Sequence, residues 1–346
     1  MRKKILFHTL IFLSVIPCLT GCHRGGKNRE EITTTQRRPD LRELSIIEQS
    51  QLREDAINLL LEATRSPDAE TRANAIEALQ PVPARIEKVL RAGLHDENPG
   101  VRFVAAMTTG KLRMKQLTRT LRPLLRDENK SVRAAAIYAL YNCGANVDIS
   151  PLSALLMSPD PSTRSNVALV LGEMGNPSAL PMLREAAGLP LTRSAPADAK
   201  RTRLQIAEAM AKLGDNDALE QIRAALHLPA DQGELQAFAA SMLGRLGDER
   251  SVDSLILLTA RRPEYLSAEV RLACAGSLAE LGRPQGAFIA DAFRDNPRPA
   301  LRAQAAFVYG EIGDKKNLAI LQQMMQDPVS VVRIYAASSI VRITSQ

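Results

Sequence analysis

The sequence predicts an all-α chain of about nine helical hairpins stacked into a solenoid. Three observations carry this. An arginine recurs every 30 to 39 residues through the body of the chain, and small or apolar residues recur at fixed offsets after it. The composition suits helices packed through small side chains, because aromatics are only 3% of the 346 residues and Trp is absent. That argues against an aromatic-cored β-sandwich, while 45% hydrophobic residues are too many for a disordered chain.

The chain opens with Arg2, Lys3 and Lys4, then an apolar run from Ile5 to Ile16. A charged stretch followed by a short apolar one has the form of a secretory leader. At about a dozen residues the run is short of the roughly 20 that span a membrane. Leu19, Thr20, Gly21 and Cys22 follow. Residues 1–21 with Cys22 resemble a bacterial lipoprotein signal peptide and its lipobox. The resemblance implies that Cys22 becomes the mature N-terminus and carries a covalent lipid, with palmitate among its acyl chains. It implies a membrane-anchored place in the cell envelope. His23 and Arg24 follow the cysteine in place of Asp, so it implies the outer membrane, facing the periplasm.

The formal charge of +7 falls to +4 from Cys22 onward, and residues 22–45 hold half of that. This stretch carries Gly25-Gly26 and Thr33-Thr34-Thr35 and has no apolar stripe, so it reads as a polar tether. A nearly balanced body with few aromatics argues against nucleic acid as a partner. Two further cysteines, Cys143 and Cys274, fall in different repeats at core-facing offsets and are expected to be unpaired.

Leu41 to Ala63 supplies an N-terminal helical cap and the first helix. The repeating region, 46–346, then follows the column Arg72, Arg102, Arg133, Arg164, Arg203, Gln236, Arg271, Arg302 and Arg333. Three residues on stand Ala75, Ala105, Ala136, Val167, Ile206, Ala239, Cys274, Ala305 and Ala336, and seven on the residues are mostly large and apolar. Offsets of 3, 7 and 10 share one helical face. Eleven on comes Gly at 144, 175, 214, 247, 282 and 313, which suits a left-handed residue ending a helix. The first two repeats have Pro83 and Arg113 there instead. Small residues eight on, among them Gly110, Gly172, Gly244 and Gly310, allow close approach of neighbouring helices. Asn98-Pro99 and Asp160-Pro161 mark helix starts. At the far end, the helix from Arg333 to Ile343 needs a polar outer face or a partner to cover it.

Strings such as Asp327-Pro328 before Val332-Arg333, and Val170-Leu171-Gly172-Glu173-Met174-Gly175, resemble the HEAT repeats of the phycobilisome-lyase-like kind. The resemblance covers roughly residues 50–346. It implies that the Arg column is a structural ladder with the acceptors six residues earlier, namely Ser66, Asp96, Asp127, Ser158, Asn296 and Asp327. Gln236 marks a weakened rung.

No HExxH, Walker loop, GxSxG or CxxC is present, and no His precedes a Glu as in the iron-binding HEAT hydroxylases. The expectation is therefore of a chain that is not an enzyme, with no catalytic residue, no metal and no cofactor beyond the lipid. Three consecutive long intervals enlarge the turns near Pro190–Ala199, Leu228–Gly233 and Arg262–Ala268. Arg193, Arg261, Arg262, Glu264 and Tyr265 in these turns are the candidate contacts for an envelope protein partner. Tolerated surface insertions are the other reading of the same turns. The function expected is a lipid-anchored scaffold for protein–protein interactions. Its alternatives are a phycobilin-lyase-like or other groove-based enzyme and a structural subunit of an envelope complex.

Overall fold

The computed structural model describes residues 43–191, 195–261 and 266–345. Among these there are eighteen α-helices and no strand, forming nine hairpins. The first hairpin is α1 (Ile46–Ala63) and α2 (Ala69–Ala78), the second α3 (Pro83–Gly93) and α4 (Pro99–Lys111). The third pairs α5 (Thr118–Leu121), flanked by 3-10 turns, with α6 (Lys130–Asn142); the fourth pairs α7 (Pro151–Leu156) with α8 (Pro161–Met174). The fifth is α9 (Leu180–Gly188) and α10 (Pro196–Lys212), the sixth α11 (Asn216–Ala225) and α12 (Gly233–Arg245). The last three are α13 (Val252–Ala260) with α14 (Ala268–Glu280), α15 (Ala287–Phe293) with α16 (Pro299–Ile312), and α17 (Leu318–Met324) with α18 (Ser330–Thr344).

Helix starts follow the sequence. The carboxylates of Asp68 and Asp160 accept the amides of Thr71 and Thr163 at 2.8 and 2.7 Å. Pro99 and Pro161 stand at first-turn positions where no amide is needed. Helix ends follow it too. The six glycines predicted to be left-handed have φ between 67° and 94°. Beyond several of them an amide reaches back five positions, as from Ala145 to the Leu140 carbonyl at 3.0 Å. In the second hairpin the same closure runs from Met114 to Thr109 at 3.1 Å, with Arg113 itself left-handed at φ 52°.

The second helices carry the core. In α14 every residue from Val270 to Ala279 is buried, which is why a single apolar stripe is hard to discern there. Small residues set the spacing. A Cβ added to Gly110, Gly244 or Gly310 would lie 2.8, 2.8 and 2.9 Å from the Cα of Ala139, Ser277 and Ser339 on the next second helix. The Ser277 and Ser339 hydroxyls donate across these contacts to the Ala240 and Ala306 carbonyls, at 2.7 and 2.8 Å.

The chain forms two compact units, one of Val82–Ala225 and one of Met1–Pro81 with Leu226–Gln346. The first and last hairpins therefore share a unit, in which α18 packs against both α1 and α2. This corrects the expectation that the last helix needs a polar face or a partner. Leu52, Ala56, Ile57 and Leu60 of α1 are buried, and so are Ile334, Ile340, Val341 and Ile343 of α18.

The enlarged turns are partly helical. Pro196–Ala199, expected in a loop, form the first turn of α10, and Ala230–Gln232 make a 3-10 turn leading into α12.

Candidate functional site

Apart from Arg203, each Arg of the column is the fourth residue of a second helix, so its side chain reaches back to the turn that precedes it. Arg102 Nη1 donates to the carbonyls of Asp96 and Glu97 at 2.9 and 3.0 Å. Its Nε and Nη2 grip both oxygens of Asp127, in the following hairpin, at 2.8 and 2.9 Å. Arg302 repeats this on Asn296 and Pro297, and on Asp327 at 2.7 and 2.9 Å. Arg72, Arg133 and Arg333 donate to the carbonyls of their own turns. Arg164, 2% exposed, donates to Ser158 in its own turn and to Leu189 in the next hairpin, both at 3.0 Å. Arg271 reaches the Thr259 carbonyl at 3.4 Å.

The environments separate these guanidiniums. The hydrogen bonds to Asp127 and Asp327 raise the pKa of Arg102 and Arg302. Burial alone lowers that of Arg164 and Arg271. Two positions depart from the ladder. Gln236 fills its place with neutral donation to the Leu226 and Leu228 carbonyls at 3.2 and 2.6 Å. Arg203 is a correction: it is exposed and makes no such bond. Because α10 extends back to Pro196, Arg203 is its eighth residue, in the third turn, whereas the other arginines of the column stand fourth in their helices and reach the preceding turn.

A second column escaped the sequence reading. From Arg102 onward, nine residues after each position of the column stand Lys111, Asn142, Glu173 and Lys212 in one unit, and Arg245, Glu280, Glu311 and Arg342 in the other. At about 100° per residue this column lies about 120° and about 160° around the helix from the apolar offsets 3 and 7. Its charges pair along the stack. Lys212 Nζ meets Glu173 at 2.7 Å and Glu208 at 3.8 Å. Arg342 pairs with Glu311 and stands 6.0 Å over the Phe307 ring. Burial works to raise the Glu173 pKa, yet the ammoniums of Lys212 and Lys111 bring it below its ordinary value. Burial raises the Tyr138 phenol, and the Glu173 charge adds to it. The signal was present in the aligned repeats as charge at a fixed offset in otherwise apolar helices. Following only apolar offsets passed over it.

Of the predicted contact residues, Arg261 is described: it is exposed directly after α13. Leu257, one turn earlier on α13, is 60% exposed, and Phe288 on α15 is 52% exposed. Arg193, Arg262, Glu264 and Tyr265 lie outside the described residues, as do Cys22 and the leader. Cys143 and Cys274 are buried free thiols, and burial pushes Cys274 up to about 12. No described helix is long and apolar enough to cross a membrane, and no group of three His, Cys, Asp or Glu among the described residues is placed to hold a metal.

The family model for HEAT repeats matches residues 86–158, and that for the PBS lyase HEAT-like repeat matches 163–188 and 202–227. Among solved structures, the chain is similar to the complex of CpcE and CpcF of phycocyanin lyase from Nostoc sp. The identity there is 20% over 73% of this chain and 94% of that one, with a TM-score of 0.38. It is also similar to human deoxyhypusine hydroxylase in complex with glycerol, at 18% identity over 77% and 88% of the two chains, with a TM-score of 0.34. No curated protein matches it. The lyase-type repeat match overturns the expectation that the chain is not an enzyme, since it points toward a lyase-type family. That expectation rested on missing motifs, and the lack of a known catalytic motif does not exclude an enzyme. The family matches fall on hairpins two to six, and these hairpins are HEAT repeats.

Proposed function

We propose that this HEAT-repeat protein is a scaffold for protein partners, anchored by a lipid on Cys22 in the bacterial cell envelope and facing the periplasm from the outer membrane. One observation carries the partner-binding part. Leu257 and Arg261 stand exposed one turn apart at the edge of the seventh hairpin, with Phe288 exposed on the eighth. An exposed apolar residue one turn from an arginine, with an exposed aromatic on the next hairpin, has the composition of an interface centre. The turn residues Arg262, Glu264 and Tyr265, next in sequence after Arg261, extend this proposed contact set.

The experiment is crosslinking in intact cells with mass spectrometry, comparing the natural chain with a Leu257→Ser, Arg261→Glu, Phe288→Ser variant. Loss of the same defined envelope proteins from the variant, at unchanged melting temperature, supports the reading. Equal recovery sinks it. The anchor is tested separately: membrane-extracted protein carries acyl mass on Cys22, and Cys22→Ser releases it.

A second reading follows from the match to PBS lyase HEAT-like repeats at 163–188 and 202–227. On that reading the array handles a chromophore, and the purified chain carries a visible absorbance that the scaffold reading does not require.

A further inference from the structure

The small net charge of the chain conceals a strong local imbalance. Between Val82 and Lys130 there are eleven Lys and Arg against five Asp and Glu. Arg102 and Lys111 belong to the two columns described above. Most of the others lie on the first helices of the second and third hairpins. Arg85, Lys88 and Arg91 follow one another along α3, opposite its buried Ile86 and Leu90, and all three are exposed. Arg119, Arg122 and Arg126 repeat this along α5 and its flanking 3-10 turn, opposite the buried Leu121 and Leu124.

The two rows adjoin. Arg91 Nη1 donates to the Thr120 hydroxyl at 3.3 Å, and Gln116 donates to Glu87 at 3.2 Å. Glu87 is the carboxylate within this surface, and its hydrogen bonds from Arg91 and Gln116 keep it ionised. Six cations thus share one outward face about two helix widths across, with helices roughly 10 Å apart. Self-repulsion at that density is a standing cost that a phosphate-bearing surface relieves.

We propose that this face of hairpins two and three docks on anionic phospholipid headgroups. The chemistry of the face favours that class over others. Phe103 is the one Phe, Tyr or Trp between Val82 and Lys130, and it is buried, so the face lacks the large aromatic platforms on which single-stranded nucleic acid stacks. The exposed large apolar residues Ile46, Ile47, Tyr141, Ile149, Leu257 and Phe288 all lie outside this stretch, so it has no anchor of the kind protein interfaces bury. A lipid surface needs neither. Each Lys or Arg held near it adds about fivefold to partitioning, and arginine can engage a phosphate through two donors at once. The docking orients the body of the membrane-anchored scaffold proposed above and rests on that reading only for its nearness to lipid.

The test uses the full chain on sedimenting vesicles, either neutral phosphatidylcholine or phosphatidylcholine with phosphatidylglycerol, at low and high salt. The ratio of binding on the two vesicle types isolates the charged face, because an N-terminal anchor contributes equally to both. The expected ratio is well above ten at low salt, collapsing at high salt. Arg119→Gln, Arg122→Gln and Arg126→Gln together lower the ratio by on the order of a hundredfold. Arg85→Gln with Lys88→Gln, on the other row, lowers it in the same direction. A ratio near one for the natural chain overturns the proposal, as does a ratio unmoved by either folded variant. Tighter binding to duplex DNA than to the anionic vesicles overturns it too. If anchoring fails but docking holds, neutral vesicles bind nothing while the ratio stays high.

Discussion

The guanidinium of Arg302 holds both carboxylate oxygens of Asp327, at 2.7 and 2.9 Å, and thereby ties the eighth hairpin to the ninth. Asp327 also accepts the Val329 amide at 2.9 Å, so one carboxylate fixes its own turn and receives the neighbour. Arg102 and Asp127 make the same pair between the second and third hairpins.

This pair makes stability depend on acid in a defined direction. The Arg302 hydrogen bond holds the Asp327 pKa below its ordinary 3.8, so the unfolded chain takes up that proton more readily than the folded one. The contribution is complete above about 3.8 and is lost as pH falls through the lowered native value. Asp327→Asn should cost about 2 kcal/mol near neutrality, since it strips the charge from a largely buried partner. Urea midpoints measured from pH 5 to 2 should fall less steeply in the variant. Parallel curves would show that the pair is not responsible.

Gly310 gives a prediction whose sign is decided by two opposing terms. In a helix interior, Ala is ordinarily better than Gly by about 1 kcal/mol. Here a Cβ would sit 2.9 Å from the Ser339 Cα, and Ser339 is held by its bond to the Ala306 carbonyl. Backbone cannot yield as a flexible side chain can, so Gly310→Ala should destabilise by about 1–3 kcal/mol. A thermal melt that rises instead would mean the helices can part without cost.

Arg113 points the other way. It adopts φ 52° to close α4, where six other second helices that make the same five-position closure, or a shorter one, use Gly. A side chain in that region costs about 1 kcal/mol or more. Arg113→Gly should therefore raise stability by about 1 kcal/mol, less what the freer unfolded chain takes back. Chemical denaturation of the two forms decides it.

These cases show which parts of the architecture are legible in the amino-acid order. Gly144 and its five counterparts announce helix ends because only Gly takes that backbone readily. Arg113 occupies the same conformation unannounced, because the closure of Met114 on Thr109 needs a left-handed backbone there whatever the side chain. Arg203 keeps the repeat register but not its contact, because α10 is lengthened at its N-terminus and a register says nothing of where a helix begins. The charges of Lys111, Glu173, Lys212 and Arg342 were visible at a fixed offset, but a search for apolar periodicity discards charge. The basic face of α3 and α5 vanished into a near-neutral total. The packing of α18 on α1 has no local signature at all, because it joins residues nearly the whole chain apart.

That last contact ties the stability of the two ends together. Ile57 and Leu60 are fully buried on α1, and α18 packs against α1 and α2 with Ile340 and Val341 fully buried. A helix at the end of an open array frays alone, since each repeat there has one neighbour. With the first hairpin seated on the last, cutting either exposes the other. Leu60→Ala leaves a cavity that should cost about 2–5 kcal/mol. Hydrogen exchange should then accelerate in residues 330–344 as well as in 46–78, while the unit from Val82 to Ala225 keeps its protection. Faster exchange confined to the first hairpin would mean that α18 is held by the eighth hairpin alone.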